Sequence, residues 1–472
     1  MDYLKRKEVI QKLDDWEAKF PVEKWKLNGV HIWPILKIKL FFKVFTQLEK
    51  QAYTPRAPIF SEKFNKLKGL FNQIPKLNLK KADFVFSGSH SHRVNYEGES
   101  VNRFFDPMMD FLRQKNIPGL SLDYHSLNHH TGTNIQLDKL IPLFRFPTLE
   151  TKELMENHSF QEMLEEMAVF FSMEKDKITL LLFNLVKEVI KWKKLYLLVF
   201  KKVQPRFCIG LCYYSIPILG MNAAAHELNI VSVDMQHGTQ GKLHAAYTFN
   251  KVPKEGYNVL PREFWCWDSG SYSELISWTQ GTSHKVRISG NPWFETILNK
   301  GQKSLQSLPK DKPLILYTHQ PLKPILDGYL LETIKATHEH YHWWIRLHPV
   351  IKEAERVQLL DLLRENNIIE HVEIEKAGIF PLPVLLKAAT LHISKFSGSL
   401  IEAAMVGTPS IILGEIGMET FGNLLQTGKA LGLVNPTSAS LREGIQQAME
   451  IKMDVPGEGN SFRPLLNHII KN

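Results

Sequence analysis

Three short stretches of this chain carry side chains at spacings that suit chemistry. Asp234-Met235-Gln236-His237-Gly238 sets a carboxylate and an imidazole three residues apart, beside a glycine, directly after the apolar run 229–233. Such a pair suits general acid/base or nucleophilic work, with Asp234 as nucleophile or general base and His237 assisting. His244 and Tyr247 follow within the next ten residues, in a loop expected to line the same cleft as Gly238. Arg346-Leu347-His348-Pro349 ends a second apolar run, and Lys395-Phe396-Ser397-Gly398-Ser399 ends a third. Where Ser397-Gly398-Ser399 opens a helix, free backbone N–H groups, two hydroxyls and the positive helix end converge, which suits a phosphate. Gly398 permits close approach, Lys395 adds charge, and Glu402, one turn into the helix, would accept from a ribose hydroxyl. Arg346 and His348 would neutralise a phosphate oxygen that leaves during transfer, and Pro349 would stop the strand and start the next helix. Each reading has a plainer competitor. A strand-terminal Asp caps turns, Ser397 or Ser399 serves as an ordinary N-cap, and Glu402 is an ordinary solvated glutamate.

The elements that must position these groups alternate between short apolar runs and helical patterns, the signature of βαβ units and a parallel sheet. Ligands bind beyond the carboxyl ends of strands in such sheets, and all three stretches fall there. Residues 1–75 read as a basic, mostly helical segment. Residues 76–300 read as a first Rossmann-like domain with an acceptor and catalytic role. Its first strand, 82–86, runs into Ser87-Gly88-Ser89-His90-Ser91-His92-Arg93. Small residues there admit a ligand, and Ser87, Ser89, His90 and Arg93 join the candidate cleft, although a turn with exposed histidines has the same sequence. Residues 301–472 read as a second, nucleotide-binding domain behind a polar linker at 300–312. Its first strand ends at Thr318-His319-Gln320, which joins the nucleotide-binding set, and the final helix near 462–470 is placed to cross back to the first domain.

A 472-residue chain exceeds one ordinary core, and its 44% hydrophobic content is globular. The net charge of +9 favours an anionic partner, although a solvated basic surface has the same charge. Cys208, Cys212 and Cys266 are too few for a disulfide framework and read as buried thiols in a reducing cytosol. No signal peptide or transmembrane span is evident, so the expected location is cytoplasmic. The stretch Ile32 to Lys43 mixes aromatics with lysines and would allow peripheral contact with the inner membrane surface, against the alternative of a helix packed on the domain. No P-loop lysine, zinc-type Cys/His spacing or two-aspartate metal motif appears, so no metal or cofactor is expected, and dispersed basic residues argue against nucleic acid.

Arg-x-His-Pro at 346–349 with Ser-Gly-Ser-x-x-x-Glu-Ala at 397–404 resembles the HP and serine motifs of GT-B glycosyltransferases of bacterial surface polysaccharides. That group includes polysialyltransferases, CDP-glycerol glycerophosphotransferases and capsule or O-antigen Kdo transferases. The resemblance implies an α/β fold of the GT-B type, two Rossmann-like domains with parallel sheets facing a central cleft. It also implies a cytidine-nucleotide donor, CMP-sugar or CDP-alditol, and a glycan or glycolipid acceptor. The Asp-x-Gln-His-Gly run at 234–238 looks most like retaining β-Kdo transferases, in which an aspartate of the N-terminal domain attacks the sugar. Ser-Gly-Ser departs from the adjacent serine pair usual in several of these families, and the match covers about the last 250 residues. Competing readings are a UDP-GlcNAc 2-epimerase-like enzyme on the same fold, a CDP-glycerol-type phosphotransferase and a non-catalytic polyanion-binding module.

Overall fold

The computed structural model describes residues 3–47, 79–125, 135–300, 308–453 and 461–471. The part of the expected N-terminal helical segment at 48–75, and linker residues 301–307, lie outside the described residues. The chain divides after Ile288 into two units, with 268–270 grouping with the second. The helix Pro292–Lys300 groups with the second unit, although the domain bounds of 76–300 expected from sequence took in its residues.

The first unit holds a seven-stranded parallel sheet. In chain order its strands are β1 (Phe84–Ser89), β2 (Gly119–His125), β3 (Ile135–Gln136), β4 (Phe207–Gly210), β5 (Val231–Met235), β6 (Glu263–Cys266) and β7 (Lys285–Ile288). Their spatial order is 3-2-1-4-5-6-7. The second unit holds a six-stranded parallel sheet of β8 (Leu314–Thr318), β9 (His342–Arg346), β10 (Val372–Glu373), β11 (Leu391–Ser394), β12 (Ser410–Leu413) and β13 (Ala430–Leu433), in the order 10-9-8-11-12-13. Both repeat the 3-2-1-4-5-6 winding of a Rossmann sheet, so each has a switch point beside its first strand: β1/β4 in one, β8/β11 in the other. This is the α/β class, with two Rossmann-like units, expected of a GT-B chain.

Strands covered on both faces read as continuous apolar runs, and Leu314-Ile315-Leu316-Tyr317 is buried throughout. In the segment 371–377, where apolar residues alternate with charged ones, only Val372–Glu373 is a strand; the chain turns helical from Glu375. As the sheet's edge, β10 has one neighbour to extend its ladder. In the first unit the helix Lys175–Val203 lies against the helix Ile216–Glu227 at Gly220. A β-carbon there would meet Trp192 Cβ at 2.5 Å and the Val189 carbonyl oxygen at 2.9 Å, so the backbones approach as closely as glycine allows.

The helices Tyr3–Lys19 and Trp33–Gln47 belong to the first unit. Ile32, Trp33, Ile35, Leu36, Ile38, Leu40 and Phe41, part of the candidate membrane-facing stretch, are buried in the protein. Lys37 is buried with Glu17, to which it donates at 2.9 Å, and also donates to the Thr248 carbonyl at 2.5 Å. Trp33 Nε1 and the Asn250 N–H complete the shell of Glu17. Of the two sequence readings, these residues follow the packed one. The final helix, Arg463–Lys471, groups with the second unit, where Ser461 and Arg463 bond Glu295.

Candidate functional site

The first cluster stands at the β1/β4 switch point and the adjoining end of β5. Asp234, on β5, is fully buried. Its Oδ1 accepts the Tyr213 N–H at 3.1 Å and its Oδ2 the Tyr247 hydroxyl at 3.0 Å. Burial outweighs these bonds and pushes the carboxyl up to about 7. Asp234 therefore clamps the turn after β4 to the loop carrying Tyr247. With no surface exposed and each oxygen already bonded within the unit, the expected nucleophile or base has no open face in the first unit.

His237 keeps part of its surface exposed. Its Nε2 lies 2.9 Å from the Cys212 sulfur and 3.2 Å from the Tyr214 hydroxyl. Enclosure lowers its pKa to about 4, so at neutral pH the ring is uncharged. Burial, then the charge of Asp234, pushes the Cys212 thiol up to about 12, and burial raises the Tyr214 phenol too. The His92 Nε2 lies 3.7 Å from the same sulfur, and burial brings this imidazole to about 3. Cys212 holds a φ of +54°, uncommon for a residue with a β-carbon; the bonds from Ser215 N–H to its carbonyl and from Tyr213 N–H to Asp234 fix that turn.

Sequence reasoning missed Cys212 and Tyr214 because Cys212 read as a core thiol. Only the sheet order, which puts β4 beside β1 and β5, brings 212–214 against both histidine motifs. His244 stacks among Phe41, Phe42, Tyr214 and Tyr247, with its Nδ1 accepting the Ala246 N–H at 3.2 Å and burial lowering it to about 3. The N-terminal helices thus wall this loop, and Arg6 holds the Leu243 carbonyl at 2.6 Å. The Gly238 carbonyl accepts from Gln236 at 3.0 Å.

The remaining expected cleft residues are engaged locally. The Ser87 hydroxyl bonds Tyr196 in the core at 2.6 Å. The Ser89 Oγ accepts from Ser91, and its N–H donates to His92 Nδ1 at 3.3 Å. His90 pairs with the His125 carbonyl at 3.3 Å, and Arg93 is tied to the Ser100 carbonyl at 3.0 Å and Asp123 at 3.8 Å.

The second cluster stands at the β8/β11 switch point. The Gln320 Oε1 accepts the Phe396 N–H at 3.0 Å, joining the two strand ends. The His348 Nδ1 accepts the Val350 N–H at 3.3 Å, which leaves its proton on Nε2, and burial holds the ring uncharged. Pro349 is exposed beside it. Ser397 and Gly398 are partly exposed, and the Ser397 hydroxyl accepts the Ser399 N–H at 3.3 Å. Lys395 pairs with Asp327 at 2.8 Å. Glu402 is partly exposed, in the first turn of the short helix Ser399–Met405.

Four expected nucleotide ligands, Thr318, His319, Arg346 and Ser399, turn inward instead. The buried Ser399 hydroxyl meets Thr318 Oγ1 at 2.9 Å, in a network with Ser394, His392 and Ser410. The Arg346 guanidinium donates to the Ala377 and Phe380 carbonyls at 2.6 and 2.5 Å, fixing the segment after β10. The buried His319 bonds the Ile325 carbonyl at 2.7 Å. Among the described residues no group of three or more His, Cys, Asp or Glu side chains is arranged to hold a metal ion. Among them, no helix is long and apolar enough to cross a membrane.

No family model matches the chain, and no curated protein sequence matches it. Solved structures similar to it include a UDP-GlcNAc 2-epimerase from Neisseria meningitidis bound to UDP-GlcNAc, at 15% identity and TM-score 0.49, over 82% of this chain and 100% of that one. A calicheamicin glycosyltransferase matches at 10% identity and TM-score 0.46, over 83% and 98% of the two chains. The wall teichoic acid polymerase TagF matches at 10% and 0.45, over 88% and 98%. At such identities and TM-scores the likeness identifies no site residue.

Proposed function

We propose that the protein is a glycosyltransferase that moves a sugar from a nucleotide donor to a glycan or glycolipid acceptor in the making of a bacterial surface polysaccharide. The donor is CMP-linked, of the Kdo or sialic-acid kind. One observation carries the reading: the two motifs that resemble the polysaccharide-transferase pattern end β9 and β11, flanking the first strand of a 3-2-1-4-5-6 sheet. Of the expected donor ligands, the His348 Nε2–H, the Ser397 hydroxyl and the Gly398 backbone are those left to meet phosphate. Lys395 and Glu402 stand beside them. The choice of cytidine rests on the motif resemblance.

In the first unit His237, rather than Asp234, is the group an acceptor can reach. An acceptor hydroxyl that replaces Tyr214 or Cys212 at Nε2 gives its proton to the imidazole as its oxygen bonds the sugar and the nucleotide phosphate departs with the electron pair. In the second unit, the His348 Nε2–H is the donor suited to a nucleotide phosphate oxygen on which charge grows. Asp234 holds the turn that carries Cys212 and Tyr214.

A thermal-shift panel of CMP, CDP, UDP and GDP tests the donor half. Stabilisation by CMP, lost in His348→Ala, is expected. Stabilisation by UDP alone overturns the cytidine reading, and no response to any of the four overturns the nucleotide site. Turnover of UDP-GlcNAc with no acceptor present would assign the protein to the epimerase class instead.

A further inference from the structure

The helix Lys175–Val203 buries one side, including Leu182, Val186, Val189 and Tyr196, and shows the other to solvent. Lys187, Lys191, Lys194, Leu198 and Lys201 recur four and three apart, so they form one outward stripe. Leu198 is 52% exposed, and Leu180, farther back on the stripe, is 60% exposed. Lys193, off the stripe, is neutralised by Glu227 at 2.7 Å, whereas the four stripe lysines enter no ion pair among the described residues. Beside the stripe, the Lys191 ammonium lies 4.3 Å from the centroid of Phe146, itself 54% exposed, and the nearby Leu143 is 60% exposed.

Solvated helix faces carry lysines, and here exposed Phe146, Leu143 and Leu198 add apolar surface beside them. Nucleic acid would answer the cations and leave the apolar groups in water. A bilayer with anionic headgroups answers both, because aromatic and aliphatic side chains enter the headgroup–acyl boundary while lysines meet lipid phosphates. We propose that this face, rather than the buried stretch at 32–43, docks the protein on an anionic membrane surface. The inference is independent of the donor and acceptor assignments.

The test is co-sedimentation of the full chain with phosphatidylcholine vesicles, with and without phosphatidylglycerol. Binding to the anionic vesicles alone, weakened by high salt, is expected. The combined K187E, K191E and K194E variant should bind at least about a hundred-fold more weakly, at about five-fold per lysine charge removed. The Phe146→Ser, Leu198→Ser pair should lose about ten-fold with its thermal midpoint unchanged. Absence of binding to anionic vesicles, or equal binding by the triple-lysine variant, overturns the proposal. So does undiminished binding by the Phe146, Leu198 variant, which would show capture of polyanions in general.

Discussion

The most discriminating residue in the first unit is His237, because its neighbours give its protonation state a definite consequence. Enclosure holds it near 4, so the base form is complete throughout the neutral range. If His237 takes the acceptor proton, kcat/KM should be flat from about pH 5.5 to 8 and fall only toward pH 4. Asp234 titrates near 7 and would impose its own limb there if it were the attacking group or the base. An acid limb near 7 would thus return the role to Asp234. Asp234→Asn sharpens the contrast. The amide oxygen can still accept the Tyr213 N–H, so fold and nucleotide binding should persist while turnover falls through a loosened Cys212 turn. Turnover within about two-fold of normal would sink a positioning role as well.

At the scale of elements, the sequence shows where strands end but not which way their side chains turn. The strand ends at 318, 346 and 394 and the helix opening at 399 are legible as apolar runs closed by polar residues. That Ser399 and Arg346 look inward is not, because it depends on neighbours 81 residues away at Thr318 and 31 residues away at Ala377. The glycine that shapes the donor loop was equally hidden. Gly417 packs so tightly under Lys395 that a β-carbon would overlap the Lys395 carbonyl oxygen. Gly417→Ala should therefore displace the 395–398 loop and weaken the nucleotide-induced thermal shift more than it lowers the midpoint of the free protein; an unchanged shift would show that this loop does not hold the nucleotide. In the N-terminal helices, the buried Lys37–Glu17 pair makes a separate forecast. Lys37→Met strands a buried carboxylate and should cost about 3 kcal/mol or more in urea unfolding. Adding Glu17→Gln, which keeps acceptors for Trp33 and Asn250, should recover much of that loss, and an uncoupled double variant would contradict the ion-pair account.

For the molecule as a whole, the alternation of apolar runs with helical patterns was enough to read two parallel-sheet units. The order of strands needed the structure, and with it the meeting of residues 92, 212 and 237. The burial that creates this meeting also sets how the protein responds to acid. Nine described histidines, His31, His92, His226, His237, His244, His284, His319, His348 and His392, are lowered below the ordinary imidazole value, each chiefly by burial. Each binds its proton more readily in the unfolded chain, so its contribution is complete above pH 6.5 and is lost as pH falls toward the folded-state value. Four carboxyls, Asp14, Asp106, Asp234 and Glu274, are raised by burial and act oppositely, favouring the fold as pH drops. The histidines are more numerous, and six of them are held at about 3 to 4. Stability should therefore fall steadily from pH 6.5 to 4.5, read as the urea midpoint at each pH. His392→Gln removes one such proton from the unfolded state and should flatten the slope by about 1.4 kcal/mol per pH unit. A midpoint independent of pH over that range would mean that these imidazoles are not held neutral by the fold, and the neutral base assigned to His237 would lose its basis with them.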